Sequence, residues 1–600
     1  MRIKVSDYIA NFFLEHNINQ VFTVVGGGAM HLNDSFGHNP KYHCIYNHHE
    51  QASAIAAEAY ARINNTPAIC CVTSGPGAIN ALNGVAGAYQ DSIPMIVLSG
   101  QAKRELTTRY TGTQVRTLGN QEFDIVSALS NMTKYATMIV DAKQIRYELE
   151  KMLYLATTGR PGPTWLDIPL DVQGSYVETE ELKGYDVEQK DEDANGDLIR
   201  DVIEHLMQAE RPVIYAGNGI RIAGAVQELH EFAAKAQVPI VTCWDSVDLI
   251  GTDNPLFVGR GGTMGDRAGN FAVQNSDFLL CIGSRLNIYQ VGYNKETWAR
   301  AAYVVDVDVD EAELSKPTIR VDMPVCMDAK VFLQQALKLV ATTQREQWLK
   351  KCHEWKNRYP VVQKKHYETD GLTNIYAFIG SLSKKLGADS LTVVANGSAS
   401  VVGSQGYYIS EGSRFIMNCG LSSMGYDLPA AIGATVGATG RTNYICIAGD
   451  GSIQMNIQEL QTIVTNKLPI KIFVINNGGY HQIRLTQNNI FHNGLVGVGP
   501  ESKDLGFPDF EKLSSAYGIP YYSISSNQEL DNILDDVLAV DGYVLCEVIC
   551  STDQIFEPKS ATKKLEDGSL FSPPLEDLAP FLPREELIKN MIIPVLEETK

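Results

Sequence analysis

The sequence predicts an α/β protein with three doubly wound parallel-sheet domains and an ordered C-terminal tail. Short β-branched runs bounded by Gly, Asn or Asp alternate with helical patterns of about 10 to 15 residues, which is typical of parallel α/β layers. At about 150 residues per domain, 600 residues leave room for three or four domains. Hydrophobic residues make up 44% and charged residues 20%, which excludes a disordered, collagenous or disulfide-scaffold chain.

The first domain is predicted over residues 1–175. It begins with an amphipathic helix in MRIKVSDYIANFFLEHN. The predicted strands are VFTVV, CIYN, AICCVTS, PMIVLSG and TWLDIP, and the Ala-rich runs QASAIAAEAYARI and AINALNGVAGAYQ are predicted helices. The stretch before TWLDIP has only a weak pattern.

Two further domains and a tail follow. An acidic segment at 178–197 predicts a solvated linker to a second α/β domain over 191–340, with strands PVIYAG, PIVTCW, DFLLCIG and YVVDVDV. The third domain is predicted over 370–550, with strands LTVVAN, RFIMN, YICIAGD, IKIFVINN and YVLCEVI. We expect the Pro-rich tail at 551–600 to cover the mouth of an active site, and a plain linker is the alternative.

The charge balance disfavours two classes of partner. Fifty basic against 70 acidic residues give a net charge of −20, so the overall field repels nucleic acid and anionic membranes. An anionic ligand must therefore be held locally, by helix N-termini, a few cationic side chains or a metal ion.

The N-terminus and the cysteines predict a soluble, cytoplasmic protein. The first residues lack the continuous apolar stretch and cleavage site of a signal peptide, and no run approaches 18 apolar residues. The 11 cysteines show no Cys-x-x-Cys spacing, and several lie in apolar runs, as reduced core thiols do.

The segment 444–480 predicts a βαβ unit with polar residues at both strand ends. The strand 444–448 ends before Gly-Asp-Gly, a helix is predicted at 456–467, and the strand 470–475 ends before Asn-Asn. In a right-handed parallel crossover both strand ends lie at one edge of the sheet, so Asp450 and Asn477 converge. With a backbone carbonyl near Gly479 and phosphate oxygens, they form an oxygen ligand set suited to Mg²⁺.

Each of these motifs alone is more commonly a tight turn. Their joint spacing resembles the signature of thiamine diphosphate enzymes, and nearly the whole chain, in order, resembles acetohydroxyacid synthases. The resemblance implies thiamine diphosphate and Mg²⁺ as cofactors. It also implies a homodimer or dimer of dimers, with active sites at the subunit interface between one first domain and the partner's third.

Glu50 is the predicted catalytic carboxyl. It lies between the strand CIYN and an Ala-rich helix, where an isolated acid would only favour the helix N-terminus. The resemblance implies that Glu50 hydrogen-bonds the aminopyrimidine ring and promotes removal of the thiazolium proton.

The resemblance implies further cofactor contacts in the first and third domains. Met424, between Gly420 and Gly425, takes the place of the large apolar residue that wedges the cofactor into its bent shape, although a core Met is the alternative. The other implied contacts are Gly27, Thr73, Pro76, Asn80, Gly449, Gly451, Ser452, Gly479 and Tyr480.

The residues predicted to contact the acceptor substrate differ in part from those of the synthases. Gln121, in LGNQEFDIV, matches the synthase Gln near the reacting carbons, where a donor would bind a developing oxyanion. The aromatic residues expected before it and after the metal strand are Asn120 and Thr486 here, which implies a roomier and more polar acceptor site. The loop GYHQIRLTQ and the tail resemble a synthase-like branch whose members act on nucleotide-activated ketosugars.

Several polar residues near these loops are candidate substrate contacts. For the histidines, a hydrogen-bonded structural role is the more common alternative. The candidates are His48, His49, His481, Arg484 and Gln487.

The central domain is a candidate FAD or nucleotide site. Gly217-Asn218-Gly219 follows the strand PVIYA but departs from Gly-x-Gly-x-x-Gly. The resemblance adds a Gly-rich strip at 259–270 and Arg285, whereas the usual Arg-Phe-Asp-Asp run reads Arg-Leu-Asn-Ile. A purely structural domain is the alternative.

The predicted function is a carboligase that decarboxylates pyruvate or a related 2-ketoacid. The two-carbon unit is then transferred to a second carbonyl, with a nucleotide-activated ketosugar as one candidate acceptor. The alternatives are a true acetolactate synthase, a 2-ketoacid decarboxylase or lyase, and a non-catalytic binding protein on this fold. A nicotinamide dehydrogenase is disfavoured because no first-domain strand leads into a dinucleotide turn.

Overall fold

The computed structural model describes residues 1–187, 196–491, 493–564 and 570–597. Three six-stranded sheets follow one another along the chain, and every pair of neighbouring strands within each sheet is parallel. The prediction of three parallel-sheet α/β domains is therefore confirmed.

The first sheet has the strand order β3-β2-β4-β5-β7-β6, and β1 pairs with β8 outside it. Its elements are β1 (Arg2–Lys4), α1 (Val5–Glu15), β2 (Gln20–Thr23), α2 (Met30–Gly37), β3 (His43–Tyr46), α3 (Glu50–Asn64), β4 (Ile69–Val72), α4 (Pro76–Gln90), β5 (Met95–Gln101), α5 (Thr108–Thr111), α6 (Ile125–Ala128), β6 (Tyr135–Met138), α7 (Ile145–Thr157), β7 (Pro163–Pro169), α8 (Leu170–Gln173) and β8 (Tyr176–Glu178). The edge strand β6 lies in the stretch with a weak pattern.

The central sheet has the order β11-β10-β9-β12-β13-β14. Its elements are α9 (Gly196–Gln208), β9 (Pro212–Ala216), α10 (Gly219–Ile222), α11 (Val226–Ala236), β10 (Ile240–Thr242), β11 (Phe257–Arg260), α12 (Arg267–Asn275), β12 (Phe278–Ile282), α13 (Ile288–Val291), β13 (Tyr303–Asp308), α14 (Glu311–Leu314), β14 (Met323–Cys326) and α15 (Ala329–Leu339). Part of the acidic linker, with the predicted domain start at 191, lies outside the described residues.

The third sheet has the order β16-β15-β17-β18-β20-β19 and follows two connecting helices. The elements are α16 (Glu346–Arg358), α17 (Lys364–Tyr367), α18 (Ile375–Lys385), β15 (Ser390–Val394), α19 (Ser398–Gly406), β16 (Arg414–Ile416), α20 (Asp427–Gly437), β17 (Asn443–Gly449), α21 (Glu459–Thr465), β18 (Ile470–Asn476), α22 (His481–Ile490), α23 (Phe510–Tyr517), β19 (Tyr521–Ile524), α24 (Leu530–Ala539) and β20 (Val544–Ile549). The helix predicted at 456–467 is shorter, because a 3₁₀ turn, Ile453–Asn456, precedes α21.

The tail packs against the central domain. It contains β21 (Lys563–Lys564), β22 (Leu570–Phe571) and α25 (Arg584–Asn590). Leu575, Leu578 and Leu587 are buried in a central-domain core cluster, and Arg267 donates to backbone carbonyls of the tail. Within the described ranges, no helix combines the length and the apolar surface that crossing a membrane requires.

Helices α3 and α20 join the first and third domains through one core. The alanines of α3 are buried, and Gly433 of α20 lies directly against the Ala56 carbonyl, where an added Cβ would be 2.0 Å from the oxygen. The helices approach this closely because neither presents a large side chain at the crossing.

We therefore expect Gly433→Ala to lower the free energy of unfolding by about 1–3 kcal/mol, because the added methyl group meets backbone. The measurement is urea unfolding followed by circular dichroism. Gly437→Ala in the same helix is the control, since its nearest neighbour is the end of the Asn64 side chain, which can move. Equal stability of the two variants would contradict the close approach.

Candidate active site

Asp450 lies at the carboxyl end of β17, beside the end of β18. The two strands are parallel, with Gly449 paired to Ile475. The carboxylate is 1% exposed, and its oxygens accept hydrogen bonds from the amides of Gly451 at 2.8 Å and Gly479 at 2.7 Å. Burial raises the pKa of Asp450 to about 7, although these amide donors oppose the shift.

Asn477 is held at the same edge by its amide nitrogen. Its Nδ2 donates to Ser398 Oγ at 2.9 Å, and Arg484 donates to the backbone carbonyls of Asn477 and Gly478 at 3.1 and 2.6 Å. Because Asn477 Nδ2 donates to Ser398, Asn477 Oδ1 is the side-chain atom that could bind a cation. Asp450, Asn477 and Gly479 thus lie at one sheet edge, and carboxylate, amide and carbonyl oxygens are the kinds of ligand that Mg²⁺ prefers.

Ser398 is a site residue that the sequence reasoning missed. It is the first residue of α19, after Gly397 at φ +76°, and it links Asn477 to His481, whose Nδ1 lies 3.2 Å from Ser398 Oγ. The signal was the Gly-Ser pair directly after the predicted strand LTVVAN, where a helix N-terminus faces the end of a parallel strand.

Close packing shapes the loops on either side of Asp450. An added Cβ at Gly451 would lie 2.3 Å from the Tyr480 ring, so the ring lies on the bare backbone. Ser452 Oγ accepts from the Gly425 amide at 2.9 Å and donates to Asp427 at 2.6 Å. Together, these contacts fix the predicted cofactor residues Gly451, Ser452 and Tyr480 relative to one another.

Met424 stands on a rigid turn. The following residue, Gly425, has φ +79°, and an added Cβ there would be 2.5 Å from Met455. Asn456 donates to the Gly425 carbonyl at 2.7 Å, while the Met424 side chain stays 37% exposed. The partly exposed thioether is free to pack against a ligand.

Glu50 opens α3 in the first domain. Asn80 Nδ2 donates to Glu50 Oε2 at 2.9 Å, and a Cβ at Gly77 would be 3.1 Å from Glu50 Oε1. Thr73 accepts from the Gly28 amide at 3.1 Å, which brings the Gly27 loop to the turn before Pro76. The structure thus brings together the predicted residues Gly27, Glu50, Thr73, Pro76 and Asn80.

Gln121 lies beside that turn. Its backbone has φ +56°, and an added Cβ at Gly75 would be 2.5 Å from the Gln121 carbonyl. Glu122 is buried and accepts from the Thr108 amide at 3.0 Å and the Leu118 amide at 3.2 Å. These bonds fold the loop, and the Gln121 side chain remains exposed.

His48 and His49 differ in their roles. His49 Nδ1 accepts from the Gln51 amide at 3.1 Å, so this ring caps α3. The His48 ring is exposed, and its backbone amide donates to Glu459 of the third domain at 3.0 Å. This contact connects the turn between β3 and α3, which precedes Glu50, to α21.

The three candidates on α22 are engaged differently. His481 is 3% exposed, burial lowers its pKa to about 4, and its ring packs edge-on against Phe556 of the tail at 5.2 Å. Arg484 is buried and donates to the backbone carbonyls of Asn477 and Gly478, as described above. Gln487 exchanges two hydrogen bonds of 2.9 Å with the backbone of Val496.

A crevice opens between the central and first domains. It lies at the carboxyl ends of the paired strands β9 and β12, from which the chain continues toward opposite edges of the sheet; this is the topological switch point of the sheet. The cavity has a volume of about 200 Å³, and its lining includes Arg160, Asn218, Gly219, Arg285 and Asp308.

The glycines of this crevice bring strand ends together. An added Cβ at Gly217 would lie 2.1 Å from the Gly283 carbonyl. The strip 259–270 is not part of the lining of this crevice. In the strip, Asp266 accepts from the amides of Arg260 and Gly269 and so begins α12. The crevice itself is lined by charged and polar side chains beside closely packed glycine backbone.

Three family models match consecutive parts of the chain. They are described as the thiamine pyrophosphate enzyme N-terminal TPP binding domain, matched at 3–128, the central domain, matched at 199–336, and the C-terminal TPP binding domain, matched at 395–548. Each match falls on one of the three sheets.

Curated relatives match nearly the full length. The acetolactate synthase large subunit of Cyanidium caldarium is 30% identical, over 93% of this chain and 94% of the relative. The acetolactate synthase isozyme 2 large subunit of Escherichia coli (strain K12) is 30% identical, over 90% and 95%. A chloroplastic acetolactate synthase of Arabidopsis thaliana is 29% identical, over 91% and 81%.

Proposed function

We propose that this chain, which belongs to the thiamine pyrophosphate enzymes and is of the acetolactate synthase type, decarboxylates a 2-ketoacid such as pyruvate and joins the two-carbon unit to a second carbonyl. The observation that carries the proposal is the pair of matched sites: Glu50 with Asn80 in one domain, and Asp450 with Asn477 in another. A non-catalytic binding protein would have no need of both.

The residues around Asp450 are proposed to hold Mg²⁺ and the diphosphate. Asp450, Asn477 and the Gly479 carbonyl supply oxygens to the cation, and Ser398 and the N-terminus of α19 face the phosphates. In a chain of net charge −20, the cation offsets the repulsion that the diphosphate would meet. Thiamine diphosphate, when bound, supplies an electron sink for the carbon that loses carbon dioxide.

Glu50 is proposed to hold a proton shared with the aminopyrimidine ring. Asn80 orients the carboxyl by donating to Oε2, which leaves Oε1 to the ligand. Gln121, on the loop beside the same turn, is proposed to donate to the oxyanion that develops on the substrate.

The acceptor is proposed to be larger and more polar than a second pyruvate. Asn120 and Thr486, where the synthases carry aromatic residues, are both exposed, so their small side chains leave room. A nucleotide-activated ketosugar fits such a site. The second candidate is acetolactate formation from two pyruvates, which the similarity to acetolactate synthases favours.

We predict that the enzyme releases carbon dioxide from pyruvate and that Glu50→Gln lowers turnover at least about 100-fold, because the proton at the ring is lost. Products are identified by mass spectrometry with thiamine diphosphate and Mg²⁺, with pyruvate alone and with a panel of nucleotide-activated ketosugars. Glu105→Gln, an exposed glutamate of the same domain, is the control.

Each product distinguishes one candidate reaction from the others. Branched sugars formed only with a ketosugar support the larger acceptor, and acetolactate from pyruvate alone supports the second candidate. Acetaldehyde alone would make the enzyme a decarboxylase, and full activity of Glu50→Gln would remove Glu50 from the mechanism.

We propose a homodimer or a dimer of dimers in which two subunits complete each site. The hydrogen bonds described for Glu50 and Asp450 each stay within one domain of the chain. A cofactor reaching both groups across an interface would use the first domain of one subunit and the third of its partner.

Mixing inactive variants tests this assembly. Asp450→Asn is expected to lose Mg²⁺-dependent activity, because a carboxylate ligand is removed. When Glu50→Gln and Asp450→Asn subunits are dissociated and reassembled together, about a quarter of the wild-type activity should return, since half of the subunits form mixed dimers with one intact site each. The absence of any recovery, with mixed dimers confirmed by native mass spectrometry, would place each site within one chain.

The crevice of the central domain is proposed to hold the adenosine half of FAD. Asp308, at the end of β13, is proposed to accept a hydrogen bond from a ribose hydroxyl, and Arg160 and Arg285 are proposed to donate to the diphosphate; all three line the crevice. FAD added to the purified chain should co-elute in gel filtration with its absorbance near 450 nm, and Asp308→Asn should weaken its binding about tenfold. Retention of FAD equal to the wild type in this variant would contradict the assignment.

A further inference from the structure

The three domains meet at one buried carboxylate, Asp91, which follows the last residue of α4. Its side chain is 2% exposed. Oδ2 accepts from Arg62 at 2.8 Å and from the Cys419 amide at 2.9 Å. Oδ1 accepts from the Gly420 amide at 2.8 Å and from Arg285 at 3.1 Å. The four donors come from the first, third and central domains.

The carboxylate is charged because two guanidinium groups face it. Burial raises the pKa of Asp91, but Arg62 and Arg285 outweigh that effect and hold the pKa below its ordinary value. Arg62 is shared with Glu58, which accepts from the Tyr426 hydroxyl at 2.9 Å. The contacts of Asp91 therefore belong to a connected network, in which a change at one member is felt by the others.

One side of Asp91 faces the crevice. Asp91 and Arg285 both line it. Arg285 also lies 3.6 Å from Asp245, a third lining residue. An anionic ligand in the crevice would contact the same guanidinium group that Asp91 holds.

The other side of Asp91 fixes the loop that carries Met424. Beyond the amides of Cys419 and Gly420, Asn418 Oδ1 accepts from the Ser422 amide at 2.9 Å. At Gly420 an added Cβ would lie 2.7 Å from Asp91, so the loop backbone runs directly over the carboxylate. Within a few residues the chain reaches Met424 and Gly425.

We propose that Asp91 is a positioning residue that couples the crevice to the loop 418–425, so that an adenine dinucleotide in the crevice and thiamine diphosphate at the loop strengthen each other's binding. The proposal rests on the two sites assigned above. A ligand that fixes Arg285 fixes the carboxylate and hence the loop amides, and the second ligand then meets a loop that is already ordered. Such coupling is reciprocal and amounts to about fivefold to 150-fold in affinity.

The test uses the full chain freed of cofactors. Calorimetry measures the dissociation constant of thiamine diphosphate with saturating Mg²⁺, with and without FAD. We expect FAD to tighten this binding at least about fivefold in the wild type and less than about twofold in Asp91→Asn. Asp248→Asn is the matched control, because Asp248 is another buried carboxylate between domains, bound by Arg221 and Arg414, and it does not line the crevice; this variant should keep the wild-type coupling.

A second measurement needs no variant and covers the case in which Asp91→Asn does not fold. Hydrogen exchange of a wild-type peptide spanning 418–425 should slow when FAD is added without thiamine diphosphate. Unchanged exchange would overturn the proposal, as would equal coupling in Asp91→Asn and the wild type. Independent binding of both ligands overturns the coupling alone, whereas failure of FAD to bind overturns the assignment of the crevice as well.

Discussion

The parallel pairing of β17 with β18 is the constraint on which the candidate site depends. It delivers Asp450 and Asn477 to one edge, where the amides of Gly451 and Gly479 stabilise a carboxylate that is otherwise removed from water. The same edge receives the N-terminus of α19, whose Ser398 fixes the Asn477 amide. Under the proposed function, this carboxylate would bind the divalent cation.

Local ion pairs determine the electrostatics of the crevice, because the net negative charge of the whole chain repels anions. Arg160 is paired with Asp310 and Glu313, and Arg285 with Asp91 and Asp245, so the cations lining the crevice are held in place by acids. These ion pairs limit the directions that the guanidinium groups can take, and a bound phosphate would limit them further. Such a crevice selects by geometry rather than by net charge.

Much of this arrangement was predictable because its signals are local. The three parallel sheets follow from the alternation of strands and helices, and the convergence of Asp450 with Asn477 follows from a single βαβ unit. The edge strand β6 was not predicted, because most of its residues are only partly buried and show no clear alternation of polar and apolar residues. The roles of Ser398 and Asp91 were not predicted for another reason. Their partners lie on other elements or in other domains, and no spacing along one segment reveals such contacts.

The engagement of α22 bears on how an acceptor is selected. Arg484 donates to the carbonyls of Asn477 and Gly478, so a role in binding substrate would break two hydrogen bonds that hold this backbone. Gln487 is likewise occupied by the backbone of Val496, and burial keeps His481 neutral. Under the proposed function, the acceptor would meet the exposed face of α22 at Thr486, where a small hydroxyl would discriminate by the room it leaves rather than by charge.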